Sequence, residues 1–259
     1  MRKIVSVAAL AAAMAFSVPG QAQLADEVGA ISDAGGARGG LPTVCTDPNI
    51  IAIDDGAAEN GYSGNAAVVS EAIVVQRFSA VDFPDGAMDT VCIGLVSLGP
   101  TSLNFEIVVF DDDGPSGVPG TELGAVPASA SGVPTGLPET VFSYDISAAG
   151  ITLPATGNFY LGMRWTPSDP NIFIAADETG ATNAGAGQLF FDTGDPMTDD
   201  WQAINGLFPN YSALIVRALP AQGTPPPPEA APVPTFSNFG LLLMALVLAG
   251  VAVVVIRTR

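Results

Sequence analysis

Histidine is absent from this 259-residue chain, and lysine occurs only at Lys3. Without histidine, neither a nucleophile–histidine triad nor a His-Glu-x-x-His zinc motif can be built. Without a lysine after position 3, no glycine-rich phosphate loop can close on one. Cysteine is scarce too. Cys45 and Cys92 are the whole supply, too few to hold zinc when no imidazole can join them. Positive charge is nearly missing from the body of the chain. All 26 acidic residues lie between Asp26 and Glu229, where only Arg38, Arg77, Arg164 and Arg217 oppose them. Such a surface repels phosphate backbones, which excludes a nucleic-acid partner. It can attract divalent cations, or simply keep the domain soluble in a salty medium. Long amphipathic helical runs are also lacking, so the fold must come from strands.

Both ends of the chain read as addresses. Arg2 and Lys3 precede an apolar stretch from Ile4 to Val18, and Gly20-Gln21-Ala22 offers a small-x-small cleavage site before Gln23. The stretch is short and Pro19-Gly20 ends it, which favours a signal peptide (1–22) over an N-terminal membrane helix. At the other end, Phe239 to Ile256 carries no charge and is followed by Arg257 and Arg259. As a helix it spans about 27 Å, close to the hydrocarbon thickness of a bilayer. The positive-inside bias puts the C-terminus in the cytoplasm and everything before the helix outside. Residues 23–44 read as a flexible leader, 45–220 as the folded domain, 221–232 as a Pro-rich linker and 233–259 as a sorting motif, transmembrane helix and basic tail. The linker, with Pro225 to Pro228, is extended and stiff, a stalk of roughly 30 Å.

Val233-Pro234-Thr235-Phe236-Ser237-Asn238-Phe239-Gly240 resembles the I-P-T-L-S-E-W-G signature of IPTL-CTERM sorting signals, which are related to PEP-CTERM signals on bacterial surface proteins. The Pro-Thr pair, an aromatic followed by Gly, and a helix closed by arginines match in order. Val233, Phe236, Asn238 and Phe239 depart from the pattern, and the basic tail is thin. The resemblance implies export, followed by cutting near Pro234-Thr235 by an exosortase-type transpeptidase that releases or re-anchors the outer domain. The other reading of the same residues is a plain C-terminal membrane anchor.

From Cys45 to Pro220, short apolar runs alternate with Gly, Pro, Asn and Asp clusters. The runs are Ile50–Ile53, Ala72–Phe83, Thr90–Leu98, Leu103–Phe110, Thr140–Ile146, Asn158–Thr166, Asn171–Ala176, Gln188–Phe191 and Ser212–Leu219. The alternation in Leu103–Phe110 is apolar on both faces. Asn158–Thr166 alternates as a half-buried strand, with Trp165 in the core. This spacing predicts an all-β, antiparallel two-sheet jelly-roll-like sandwich, with a barrel as the alternative. In an exported chain, Cys45 and Cys92 predict a disulfide, worth about 4 kcal/mol in the chain-entropy model. Buried free thiols are the other option.

Within this domain, Asp54-Asp55-Gly56-Ala57-Ala58-Glu59-Asn60-Gly61-Tyr62 resembles the D-D-G-x-x-E-N-G-Y segment of secreted bacterial β-sandwich modules. Val109 to Gly120 resembles their strand-then-D-D-x-G-x-P-G turn, and Asn158-Phe159-Tyr160-Leu161-Gly162 their G-x-Y-W-L-G strand. These modules accompany many activities, so the resemblance implies a fold and no particular chemistry.

Carboxylates are the remaining candidate chemistry. Asp111, Asp112 and Asp113 on one turn, or Asp54 and Asp55 with Glu59, could offer oxygens to Ca²⁺, or could be solvated acidic turns. These residues with Asp199 and Asp200 could also supply the carboxylate pair of a glycoside hydrolase. Trp165, Trp201, Tyr62, Tyr160 and Tyr211 are candidates for stacking on sugars, with Trp165 better read as core and Trp201 the most exposed by its loop setting. The composite expectation is an exported, non-enzymatic cell-envelope protein, without a cofactor unless Ca²⁺ binds. Its partners are the export machinery, an exosortase-type enzyme, the membrane and, in one reading, an extracellular polysaccharide. The alternatives are a carbohydrate-binding or Ca²⁺-dependent adhesion module and a carboxylate-based glycoside hydrolase.

Overall fold

In the computed structural model, the described residues are 24–27, 41–179, 187–195 and 199–222. The chain divides into two compact units, Met1–Gln222 and Gly223–Arg259, and every described residue belongs to the first. The signal peptide, the Pro-rich linker past Gln222, the sorting motif and the Phe239–Ile256 segment all lie outside the described residues. Among the described residues no helix is long and apolar enough to cross a membrane.

The domain is a two-sheet antiparallel β-sandwich, consistent with a jelly-roll-like fold, and the two sheets do not close into one barrel. One sheet holds eight strands: β1 (Ala25–Glu27), β2 (Ile51–Ala52), β3 (Asn60–Gly64), β5 (Met88–Ser97), β8 (Thr140–Asp145), β10 (Ile172–Asp177), β13 (Ala213–Leu214) and β14 (Val216–Pro220). The other holds six: β4 (Glu71–Ser79), β6 (Ser102–Asp111), β7 (Glu122–Ser131), β9 (Asn158–Trp165), β11 (Gly187–Asp192) and β12 (Gln202–Ala203), in the order β12-β11-β4-β9-β6-β7. A single helical turn, α1 (Ile204–Leu207), follows β12.

Period-two alternation sends Val91, Ile93 and Leu95 of β5 inward to meet Phe159, Leu161 and Met163 of β9, all fully buried. The last strands of the domain pass from β10, paired with β13, to β5, paired with β14. Ile215 N–H donates to Ala175 O (2.8 Å) and Gly94 N–H to Ile215 O (2.8 Å). Gly94 makes this crossing possible, since a Cβ there would lie 2.7 Å from Ile215 Cγ2.

Both outer faces are partly apolar and both are covered. Over the eight-stranded sheet, Leu41, Val44, Ile50 and Ala58 pack on Cys92, Val141, Ala175 and Ile215. The Cys45–Cys92 disulfide pins this strap, with the Cα atoms 6.0 Å apart and both residues fully buried. Over the six-stranded sheet, Trp201 lies on Phe110 and Phe190. This covering buries Tyr160, so β9 is buried on both faces where its sequence suggested one.

Three further features depart from the sequence pattern. β3 occupies the Asn60–Gly64 motif, which carries no apolar run. β7 was not anticipated because Gly124, Ala125, Pro127, Ala128 and Ser129 have low strand preference. In the expected flexible leader, Ala25–Glu27 pairs with Gly64–Tyr62 as an edge strand, because β3 still had an unpaired side to satisfy.

β7 is also an edge strand, ten residues long and paired only with β6. Pro127 stands in its middle, opposite Glu106. Strand proline is tolerated where its missing donor faces solvent, and it blunts an edge against pairing with another chain. Pro127→Thr is expected to restore that donor and produce concentration-dependent association, read by light scattering coupled to size exclusion.

Candidate functional site

The residues singled out from the sequence fall in three places. The first is the Asp54–Tyr62 segment at one end of the sandwich. Asp54 accepts from Arg217 through both oxygens, Nη2 to Oδ1 at 2.6 Å and Nε to Oδ2 at 3.1 Å. Its side chain is fully buried and that of Arg217 is 8% exposed. Arg217 Nη1 also donates to Cys45 O (3.2 Å), so one guanidinium holds the strap beside the disulfide. Asp55 N–H donates to Asp177 Oδ2 (2.9 Å). Glu59 Oε2 accepts from Glu178 N–H (2.9 Å). Asn60 Nδ2 donates to Glu178 Oε1 (2.8 Å) and to Glu27 Oε2 (3.2 Å). Tyr62 donates its hydroxyl to the same Glu178 oxygen (2.7 Å), and its buried ring stacks on Phe208 at 4.1 Å. Between them Gly61 is required, because a Cβ would come 2.8 Å from Val96 Cγ1. Asp55 Oδ1 accepts from Ala57 N–H (2.9 Å), so every polar side chain of the motif is engaged, and those of Glu59, Asn60 and Tyr62 fix Glu178 at the end of β10.

The partners of this motif were not evident from sequence. Arg217 carried a signal in retrospect: it is a lone cation in an otherwise apolar strand. Asp177 and Glu178 carried none, since they close an apolar run where a solvated turn would also fit.

The second place is the Asp111–Asp113 turn. Asp111 Oδ1 accepts from Asp112 N–H (2.8 Å), and Asp112 Oδ2 accepts from Asn158 Nδ2 (2.9 Å). Asp113 accepts from Thr121 N–H (2.6 Å) and Thr121 Oγ1 (2.7 Å), which holds its carboxyl below the usual range. The three carboxylates serve three separate partners, Asp112 N–H, Asn158 and Thr121. Among the described residues no group of three or more Asp, Glu, His or Cys side chains is arranged to hold a metal ion. Asp199 and Asp200 are engaged as well, with Thr193 and with Trp201 N–H.

The third place is the set of aromatics. Trp165 is in the core, and Tyr211 is buried with its hydroxyl on Gln76 Oε1 (2.5 Å). Tyr160 is buried and donates to Gly117 O (2.7 Å). Trp201 is half-buried rather than free-standing, its ring 5.4 Å from Phe110 and 5.5 Å from Phe190.

Two surface cavities accompany these elements. One, of about 630 Å³, lies beside β1 and is lined by Asp26, Asn65, Ser168 and Asp169. Burial and the neighbouring Asp169 push the Asp26 carboxyl up. The other, of about 320 Å³, is bounded by β2, Arg77, Ser79, Asp82 and Asn158. No protein family matches this chain, no curated protein matches it, and no solved structure does.

Two outcomes follow from the buried end. Arg217→Met strands the Asp54 carboxylate without a partner and is expected to cost about 3–5 kcal/mol in urea unfolding. Arg217→Met combined with Asp54→Leu is expected to recover most of that loss. Asp177 is fully buried, and burial raises its carboxyl, partly countered by the Asp55 and Thr179 N–H groups and reinforced by Asp55 and Asp54. The folded state therefore holds this proton more tightly than the unfolded chain, whose value is near 3.8. Its contribution is complete below that value and is lost as pH rises through the folded one. Asp177→Asn removes this loss, so the variant is expected to gain on wild type between acid pH and pH 7 in paired urea titrations.

Proposed function

We propose that this chain is an exported, non-enzymatic protein of the cell envelope, whose β-sandwich is displayed or released through its C-terminal sorting signal. The observation that carries this reading is the Cys45–Cys92 disulfide buried under the strap. Such bonds form and persist in oxidising compartments outside the cytosol. The reading is supported at one end by the charged start and apolar stretch before Gln23. At the other it is supported by Val233, Pro234, Thr235, Phe236, Phe239 and Gly240 ahead of an uncharged segment with terminal arginines.

The non-enzymatic part of the proposal draws on how the carboxylates are used. The candidates for general acid and base chemistry are bound to Arg217, Asn158, Thr121, Thr193 and backbone N–H groups. Hydrolysis of a glycoside needs one of the pair held protonated across a gap that admits the sugar.

A second reading, a carbohydrate-binding module, is favoured by the cavity beside Arg77. The test of the main proposal is mass spectrometry of the protein recovered from its native envelope under non-reducing conditions. An N-terminus at Gln23, a C-terminus near Pro234 or Thr235 and a mass with the disulfide intact are expected. An uncut chain with free thiols in the cytosolic fraction overturns the proposal, and retention through Arg259 reduces the sorting signal to a plain anchor.

A further inference from the structure

Among the described residues there are three arginines, and they are not used alike. Arg217 is buried on Asp54, and Arg164 bridges Glu106 and Glu122. Arg77 has no ion-pair partner among the described residues. It is exposed, it sits on β4 between two fully or nearly fully buried neighbours, Gln76 and Phe78, and its guanidinium meets the Tyr160 phenol. In a domain with so many carboxylates, a guanidinium that meets a phenol oxygen and no carboxylate among the described residues is the exception. Arg77 is also one of the residues that line the cavity of about 320 Å³.

The other walls give that cavity its character. Ile51 and Ile53 supply an apolar side. Asn158 spends its Nδ2 on Asp112, which leaves its amide oxygen as an acceptor. Ser79 offers a hydroxyl that makes no hydrogen bond to the described residues, and Asp82 is exposed beside it. A guanidinium fork matches a carboxylate through two parallel N–H···O bonds. Short polar groups around it match hydroxyls, and an aliphatic wall matches the C–H face of a sugar ring.

From this arrangement we propose that the cavity is a binding site for a uronic acid unit, with Arg77 on the carboxylate and Ser79, Asp82 and Asn158 on the ring hydroxyls. The inference rests on the carbohydrate-binding reading and deepens it, and it is independent of how the C-terminus is processed. Asp82 and the net negative charge of the domain oppose a polyanion at long range, over roughly 8 Å at physiological salt. Recognition is therefore short-ranged and weak, and it is set by the guanidinium. Moderate salt screens the repulsion more than the contact, so affinity is expected to hold or rise with added salt, opposite to the usual loss for charge-driven binding.

The experiment is a saturation-transfer and chemical-shift titration of the purified protein with methyl glucuronide, using methyl glucoside as the uncharged control. The glucuronide is expected to bind at least about tenfold more tightly than the glucoside, as expected when a charge-assisted pair is added. Arg77→Gln is expected to erase that difference, and Arg77→Lys to keep part of it. Ser79→Gln, which fills the cavity and leaves the guanidinium in place, is expected to abolish both responses. Thermal unfolding of each variant checks that the fold is kept. Equal binding of the two sugars, no response to either, or a preference that survives Arg77→Gln overturns the site. None of those results touches the envelope location, which stands or falls on the masses of the mature termini.

Discussion

A single buried cation organises one end of this domain. Arg217 comes from the last strand, yet it ties down Asp54 and the carbonyl of Cys45 from the strap near the start of the domain. Burying a guanidinium and a carboxylate is costly unless the pair is close and its remaining hydrogen bonds are met. Here both conditions hold, and the disulfide next to the pair holds the same strap covalently. The strap in turn shields Ala175 and Ile215, which would otherwise face water from the outer side of the sheet. Asp54, one of the acidic residues singled out from sequence, is the carboxylate of this clamp.

The same economy governs the other acidic turn. Asp113 is spent on Thr121 and Asp112 on Asn158, so the turn after β6 is fixed to β9. Runs of aspartate in turns look alike in sequence whether they meet a metal, water or backbone N–H groups. The difference lies in where the donors are, and Asn158 is far away along the chain. This is why the hydrogen-bond partners of these aspartates were not readable from the turn itself.

Fold class was readable for a plain reason. Runs such as Leu103–Phe110 and Asn158–Trp165 alternate with a period of two and end in Gly, Pro and Asp, and that pattern survives any tertiary detail. The two cysteines paired as an exported chain predicts. What escaped was the strand at Glu122–Ser131, whose small residues and Pro127 mark a sheet edge rather than a core. Asn60–Gly64 also escaped, because its burial is created by Glu178 and Phe208, partners distant in sequence. The half-buried pattern of β9 failed for the same cause: Trp201 arrives from elsewhere to cover Tyr160 and Phe110.

The position of β14 has one more consequence. It pairs with β5 on one side and β2 on the other, so it is an interior strand built from the last residues of the domain. A chain delivered from its N-terminus cannot complete the larger sheet, or seat the guanidinium that clamps the strap, before position 217 has emerged. Completion of that sheet is therefore a late event, waiting on synthesis of the domain's final strand.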